Sequence, residues 1–84
     1  MIIVLGITKD NKIFRPSDWT ERLSSLKGNW NNGVFRFSKY VFPGIKNNIK
    51  CLYIDESLLN IDDKIYHFLL NFAKNNKLEF ENLK

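Results

Sequence analysis

Ile49-Lys50-Cys51-Leu52-Tyr53-Ile54-Asp55 is the stretch on which the fold turns. Successive side chains of a strand point to opposite faces. Leu52 and Ile54 therefore share one face, and Cys51 and Tyr53 share the other. A helix signal follows at once. Ser57 or Asn60 opens it, and it is expected to run to about Asn75. Ile61, Ile65, Phe68, Leu69 and Phe72 recur at helical spacing and are expected to face the sheet. Asp62 and Asp63 fall in the first turn, and Lys74 and Lys77 near the end, as the helix dipole favours. Leu78 to Phe80 then reads as a last short strand.

Working back from residue 49, Pro43-Gly44 with Asn47-Asn48 marks a connection. Val34-Phe35-Arg36-Phe37 and Tyr40-Val41-Phe42 predict one strand, bulged near Ser38-Lys39. Asn29 to Gly33 reads as a loop. Before it stands a strong helix start. Pro16 sets φ at the entry. Ser17 or Asp18 can cap, and Asp18 with Glu21 has the capping spacing. Trp19, Leu23 and Leu26 share a face, and Gly28 is a credible stop. Ile2 to Thr8 is β-branched and apolar, a strand. After the Asp10-Asn11 turn, Lys12-Ile13-Phe14 can pair back as a short second strand. The order β-(β)-α-β-β-α-β predicts an α+β fold. It is a two-layer α/β sandwich, with a mainly antiparallel sheet and two helices on one face. Without the short second strand the order is βαββαβ, which is ferredoxin-like.

The chain has 84 residues, of which 44% are hydrophobic and 26% charged. That suits a single small α/β domain over residues 1–84 and excludes disordered, collagen-like and disulfide-scaffold classes. The net charge is +4. Residues 1–50 hold nine Lys and Arg against three Asp and Glu, whereas residues 51–84 hold four against six. A basic half can attract phosphates or an acidic protein, although no run of basic residues occurs and a solvated Lys-rich surface is the favoured explanation of the excess. Cys51 is alone, so an intrachain disulfide is excluded and a reducing compartment is expected. Met1 to Leu5 lacks the basic and long apolar regions of a signal peptide, and no stretch is long enough to span a bilayer. A cytoplasmic protein without membrane association is the expectation.

His67, the one histidine, shares a polar helix face with Asp63, Lys64, Asn71 and Lys74. It is read as solvated, and Cys51 as a packed strand residue rather than its nucleophilic partner. One His and one Cys cannot build a structural zinc site, and Asp62-Asp63 are better explained as capping residues. Gly28 and Gly33 fit no phosphate-loop pattern. No catalytic, metal or cofactor-binding residue is therefore assigned, and the chain is expected not to be an enzyme. Two stretches remain. In Phe35-Arg36-Phe37-Ser38-Lys39-Tyr40, aromatic and basic residues alternate. Phe35, Arg36, Phe37, Lys39 and Tyr40 could stack bases and hold phosphates of single-stranded nucleic acid. The favoured alternative buries Phe35 and Phe37 against the helices and leaves Arg36 and Lys39 solvated. In the second stretch, Phe14, Arg15, Trp19 and Arg22 form a candidate protein-contact surface, conditional on Trp19 being partly exposed, since Trp and Arg are common anchors. A buried Trp19 would make the segment a structural staple. Pairing of Arg15 or Arg22 with Asp18 or Glu21 is expected.

These residues also carry a resemblance. Gly6-Ile7-Thr8, the run Phe14-Arg15-Pro16-Ser17-Asp18-Trp19 with Glu21-Arg22-Leu23, then Ser38, Tyr40-Val41, Pro43, Lys50-Cys51 and Asp55 follow one another in order. Tyr66, Phe68-Leu69, Phe72-Ala73, Asn76 and Leu78 complete the series. The whole resembles a family of short, uncharacterised bacterial proteins classed as a domain of unknown function. The chain departs from that pattern at Lys39, where Pro is usual, at Asn48, where Gly is usual, and in a short loop between Gly28 and Val34. The resemblance implies a compact α/β domain and a cytoplasmic bacterial protein, with no activity attached. The leading functional expectation is a non-catalytic binding or regulatory module acting through protein–protein contacts. The alternative is a single-stranded nucleic-acid-binding domain.

Overall fold

The computed structural model describes residues 1–16 and 18–82; Ser17, expected above as a cap, and residues 83–84 lie outside the described residues. Strand β1 (Ile2–Thr8) leads into helix α1 (Trp19–Ser24), which tightens into a 3₁₀ turn over Ser25–Lys27. A small hairpin follows, β2 (Asn29–Asn31) and β3 (Val34–Arg36). Then come β4 (Val41–Lys46), β5 (Ile49–Ile54), α2 (Leu58–Ile61), α3 (Asp63–Asn75) and β6 (Leu78–Asn82).

The main sheet has the order β4-β5-β1-β6, and every neighbouring pair is antiparallel. The hairpin strands β2 and β3 form a sheet of their own. Counting only the strands of the main sheet, the chain runs strand, helix, strand, strand, helix, strand, with the first and third strands in the middle. That is the expected ferredoxin-like frame with a hairpin inserted after its first helix.

Register explains which side is covered. Ile2 lies opposite Ile54, Val4 opposite Leu52, and Val41 opposite Ile54. These residues share one face and pack with Trp19 of α1, Leu58 of α2, Leu69 and Ala73 of α3, and Leu78 of β6 as one core. Each large apolar side chain fully buried there contributes about 1.5–3 kcal/mol. The other face carries Ile3, Cys51, Tyr53 and Phe42 and has no helix in that core. The alternation of Leu52 and Ile54 against Cys51 and Tyr53 is as expected.

Several local expectations need correction. Lys12-Ile13-Phe14 does not form a strand; Ile13 makes one isolated bridge to Ile7, and the Phe14 amide donates to the Gly6 carbonyl at 2.9 Å. Residues 34–42 are not one bulged strand but two strands in two sheets, because the chain leaves β3 at Phe37 and re-enters at Val41. Pro43 and Gly44 lie inside β4 rather than in the connection. β4 is an edge strand, where a missing N–H is tolerated. The connection is the two-residue turn Asn47-Asn48, with φ of 53° and 64°, the left-handed pair that a tight hairpin requires. The second helix is broken at Asp62, whose backbone (φ −152°, ψ 84°) is not helical. Its carboxylate accepts from the Ile65 amide at 3.2 Å and restarts the helix as α3. Leu26, Ile61 and Phe68 were expected on buried faces and are exposed. Leu26 lies in the 3₁₀ turn, whose tighter winding rotates it off the face that Trp19 defines.

Candidate functional site

Gly6 is the anchor of the first candidate site. A methyl group built there would stand 3.1 Å from Trp19 Nε1 and 3.3 Å from its Cζ2. The indole of Trp19 therefore packs directly on the backbone of β1. Phe14 meets Trp19 edge-on at 5.6 Å and Phe72 edge-on at 5.8 Å, and Trp19 stacks near-parallel on Phe72 at 6.1 Å. Trp19 is only 4% exposed, so the condition for its serving as a contact anchor is not met. It staples β1, α1 and α3 together. Arg15 is exposed, and Arg22 is exposed with its Nε 2.8 Å from Asp18, one of the pairings expected. Glu21 pairs instead with Lys50 at 2.6 Å, and the Lys50 hydrogen bond holds its carboxyl below the usual value. Phe14, Pro16, Trp19, Arg22, Leu23 and Phe72 line an apolar groove of about 210 Å³. Three of the four residues expected on a contact surface are thus together, with Trp19 as the floor of a groove rather than a projecting ring.

The second candidate site is the β2–β3 hairpin. Its turn is Asn32-Gly33, with φ of 51° and 78°, both in the left-handed region that this dipeptide adopts most readily. Register sets Trp30 opposite Phe35. Phe35 meets Trp30 edge-on at 5.4 Å and Phe37 edge-on at 5.2 Å. The three rings form a ladder with Phe35 in the middle. Phe35 lies so close over Gly28 that any side chain at position 28 would collide with it. Trp30 is 69% exposed and Phe37 39% exposed. Neither Phe35 nor Phe37 belongs to the core, so the favoured expectation that both face the helices is corrected. The reason is the chain's departure from the main sheet between Arg36 and Val41. Arg36 and Lys39 are exposed. The Lys39 ammonium lies 5.2 Å from the centre of the Tyr40 ring. Tyr40 itself packs against the core, and its carbonyl accepts from the Asp55 amide at 2.8 Å. Of the five residues proposed for nucleic-acid contact, Phe35 and Arg36 thus stand on the hairpin and Phe37 just past it, whereas Lys39 and Tyr40 belong to the segment that leads into β4. Trp30, the most exposed ring of the three, was missed. The Asn32-Gly33 turn between Trp30-Asn31 and Val34-Phe35 is the signal that would have found it.

The face of the main sheet without helices carries a third cluster. Phe42 and Tyr53 stack at 5.1 Å and 13°. Lys46 and Glu81 come from opposite edge strands and pair with each other, which holds the Lys46 ammonium above its usual value. Cys51 is fully buried and free. Burial pushes its thiol up, against a hydrogen bond with Tyr53 that lowers it. His67 is exposed on α3, its ring edge-on to that of Tyr66 at 5.5 Å. The structure does not bring it to Cys51. No group of three or more His, Cys, Asp or Glu that could hold a metal ion occurs among the described residues. No helix among them is long and apolar enough to cross a membrane.

The frame and its staple are those of a small ferredoxin-like α+β domain carrying an inserted aromatic hairpin. The chain belongs to the family described as Protein of unknown function (DUF3579), whose profile matches residues 1–83. It is similar to a protein whose solution structure is described as the first structural representative of its family. The two are 32% identical and superpose with a TM-score of 0.85, over 94% of this chain and 74% of that one. A search of curated proteins finds no match.

Proposed function

We propose that the chain is a non-catalytic binding module that meets its partner through the β2–β3 hairpin. The observation that carries this reading is Trp30, a large ring 69% exposed, outside the core and set against Phe35 and Phe37. An exposed tryptophan costs solubility and contributes nothing to this core, whereas Trp and Arg are the residues most often found at binding hot spots. Arg36, exposed on the other face of the same strand between Phe35 and Phe37, adds a cation to the hairpin. A non-catalytic role is supported by Cys51, whose buried thiol is pushed away from the reactive thiolate form. The free thiol also fits a reducing, cytoplasmic setting.

The test is retention from a cell extract on the immobilised full chain, with wild type beside a Trp30→Ala/Phe37→Ala double variant of matched melting temperature. A macromolecule held by wild type and released by the variant supports the reading. Equal retention by both would remove the hairpin as the contact surface.

A further inference from the structure

We infer that the hairpin binds single-stranded nucleic acid, with bases stacked on Trp30 and Phe37 and phosphates held by Arg36 and Lys39. This rests on the hairpin as the contact surface and names what is bound there.

The charge pattern argues for a polyanion. From Arg22 to Ile54 the chain holds six basic residues and no acidic one. Four of the six are neutralised by carboxylates from elsewhere in the sequence. Arg22 meets Asp18, Lys27 meets Asp62, Lys46 meets Glu81, and Lys50 meets Glu21. The other two, Arg36 and Lys39, form no ion pair among the described residues. Lys39 lies over the Tyr40 ring and acts on Asp55 from a longer distance. These two cations flank Phe37 in the sequence. The basic residues without an ion pair in this stretch are thus the two that flank Phe37 in the sequence, Arg36 on the hairpin face opposite Trp30 and Phe35 and Lys39 over Tyr40.

The rings argue for unpaired bases. Trp30 and Phe37 stand edge-on to Phe35 at interplanar angles of 69° and 83°. Phe35 holds both in place, and their exposure leaves ring surface for a base. A stack on an aromatic ring is tolerant of sequence because every base has a π-face. Bases paired in a duplex have no free face to offer, which restricts the ligand to single strands. A protein partner fits less well. The apolar patch is three rings in a stretch whose Asn29, Asn32, Arg36 and Lys39 are all exposed, whereas a stable protein interface engages some 20–30 residues a side around an apolar centre.

Two rings and two cations imply a footprint of two to three nucleotides and weak, salt-sensitive binding. The experiment is fluorescence anisotropy of end-labelled oligothymidine and oligouridine of about ten nucleotides with the full chain, across a salt series. The expected dissociation constant at low salt is roughly 1–100 μM, and two phosphate contacts give a log–log salt slope of about −1.4. Trp30→Ala and Phe37→Ala each weaken binding about tenfold at one fixed salt. Arg36→Gln reduces the slope by about 0.7. A duplex of equal length binds more weakly than either single strand. Melting temperatures within a few degrees of wild type confirm that each variant is folded.

Absence of binding in low salt overturns the inference. So does equal binding of the ring variants, or of the duplex, since either means general attraction to a polyanion. The extract assay separates the two levels of failure. If the macromolecule lost by the Trp30→Ala/Phe37→Ala variant survives nuclease treatment and is a protein, the contact surface stands and the ligand named here is wrong. If wild type and variant retain the same material, both readings fall.

Discussion

Replacing Gly6 by Ala tests the packing that joins the first strand to both principal helices. The new methyl would stand 2.6 Å from the Lys50 carbonyl oxygen and 3.1 Å from Trp19 Nε1. Neither neighbour can yield cheaply. The carbonyl belongs to the backbone of β5, which is paired on both sides, and the indole is clamped between Phe14 and Phe72. Overpacking a well-filled core costs about 1–3 kcal/mol, occasionally more, and a contact against backbone belongs at the upper end. In a domain of this size each kcal/mol lowers the melting temperature by about 4–8 °C. A cost of about 3 kcal/mol therefore predicts a fall of roughly 12–24 °C, read by thermal unfolding followed by circular dichroism. Adding Trp19→Phe relieves the ring contact but not the carbonyl contact, so the double variant recovers only part of the loss attributable to Gly6→Ala. Gly33→Ala is the contrasting case. Nothing lies within 4 Å of that position, but φ is +78°, so the cost is backbone strain alone, about 1–2 kcal/mol, and Gly33→Asn reduces it. A Gly6→Ala protein melting within about 3 °C of wild type would refute the account of Trp19 packed directly on β1.

Three further outcomes are expected. The carboxyl of Glu21 is held below its ordinary 4.5, chiefly by Lys50; a lowered folded-state value stabilises above the unfolded value and is lost as pH falls through the folded one. Glu21→Gln should therefore flatten the decline of melting temperature below about pH 4.5, and an unchanged acid limb would rule the pair out as a contributor. Lys77 follows α3 with φ of 56°, the left-handed position that glycine occupies most easily; in Lys77→Gly the relief of about 1–2 kcal/mol of left-handed strain outweighs about 0.4–1 kcal/mol of added unfolded-chain freedom, so the melting temperature should rise by roughly 2–8 °C, and a fall would contradict that backbone. Iodide should quench Trp30 and spare Trp19, so Trp30→Phe should leave a blue-shifted, iodide-resistant emission; Cys51 in the same samples should react with thiol reagents only on unfolding.

The frame was readable from the sequence because its signals are local and mutually consistent. Leu52 and Ile54 against Cys51 and Tyr53 set the faces of β5, and the Pro16–Asp18 stretch marked the start of α1, although Asp18 forms no side-chain cap and pairs with Arg22 instead, and Glu21 with Lys50. What misled was a pattern continuous across a break. Val34 to Phe42 alternates like one strand, and nothing local says that the chain changes sheets between Arg36 and Val41. Trp30 was hidden by its asparagine-rich setting, where Asn29, Asn31 and Asn32 read as a loop. The Asn32-Gly33 dipeptide pointed the other way, to a tight hairpin. At Pro43 the rule that proline leaves a strand held only for central strands, and the edge position of β4 is a tertiary fact. Helix packing was misjudged for a similar reason. Helical spacing placed Ile61 and Phe68 with Leu69, but the break at Asp62 resets the phase of the helix, and Ile61 ends on the surface.

Three rings in this fold lie over three glycines, and they serve different ends. Trp19 over Gly6 builds the core, so its truncation to Ala costs about 3–5 kcal/mol. Tyr53 lies over Gly44 on the face without helices, where it accompanies Phe42 and the buried Cys51. Phe35 over Gly28 seats the hairpin against the end of the 3₁₀ turn without entering the core. The hairpin therefore depends on the body at the Phe35–Gly28 contact, while it adds no residue to the buried core. Substitutions at Trp30, Arg36 or Phe37 can then alter binding without altering stability, and Gly28→Ala should do the reverse of a ring deletion: the rings remain, but Phe35 is displaced and the ladder it supports is no longer held. If Trp30 and Phe37 act through their fixed placement, Gly28→Ala weakens binding as much as removing one ring. If they act only as loose apolar surface, binding survives it.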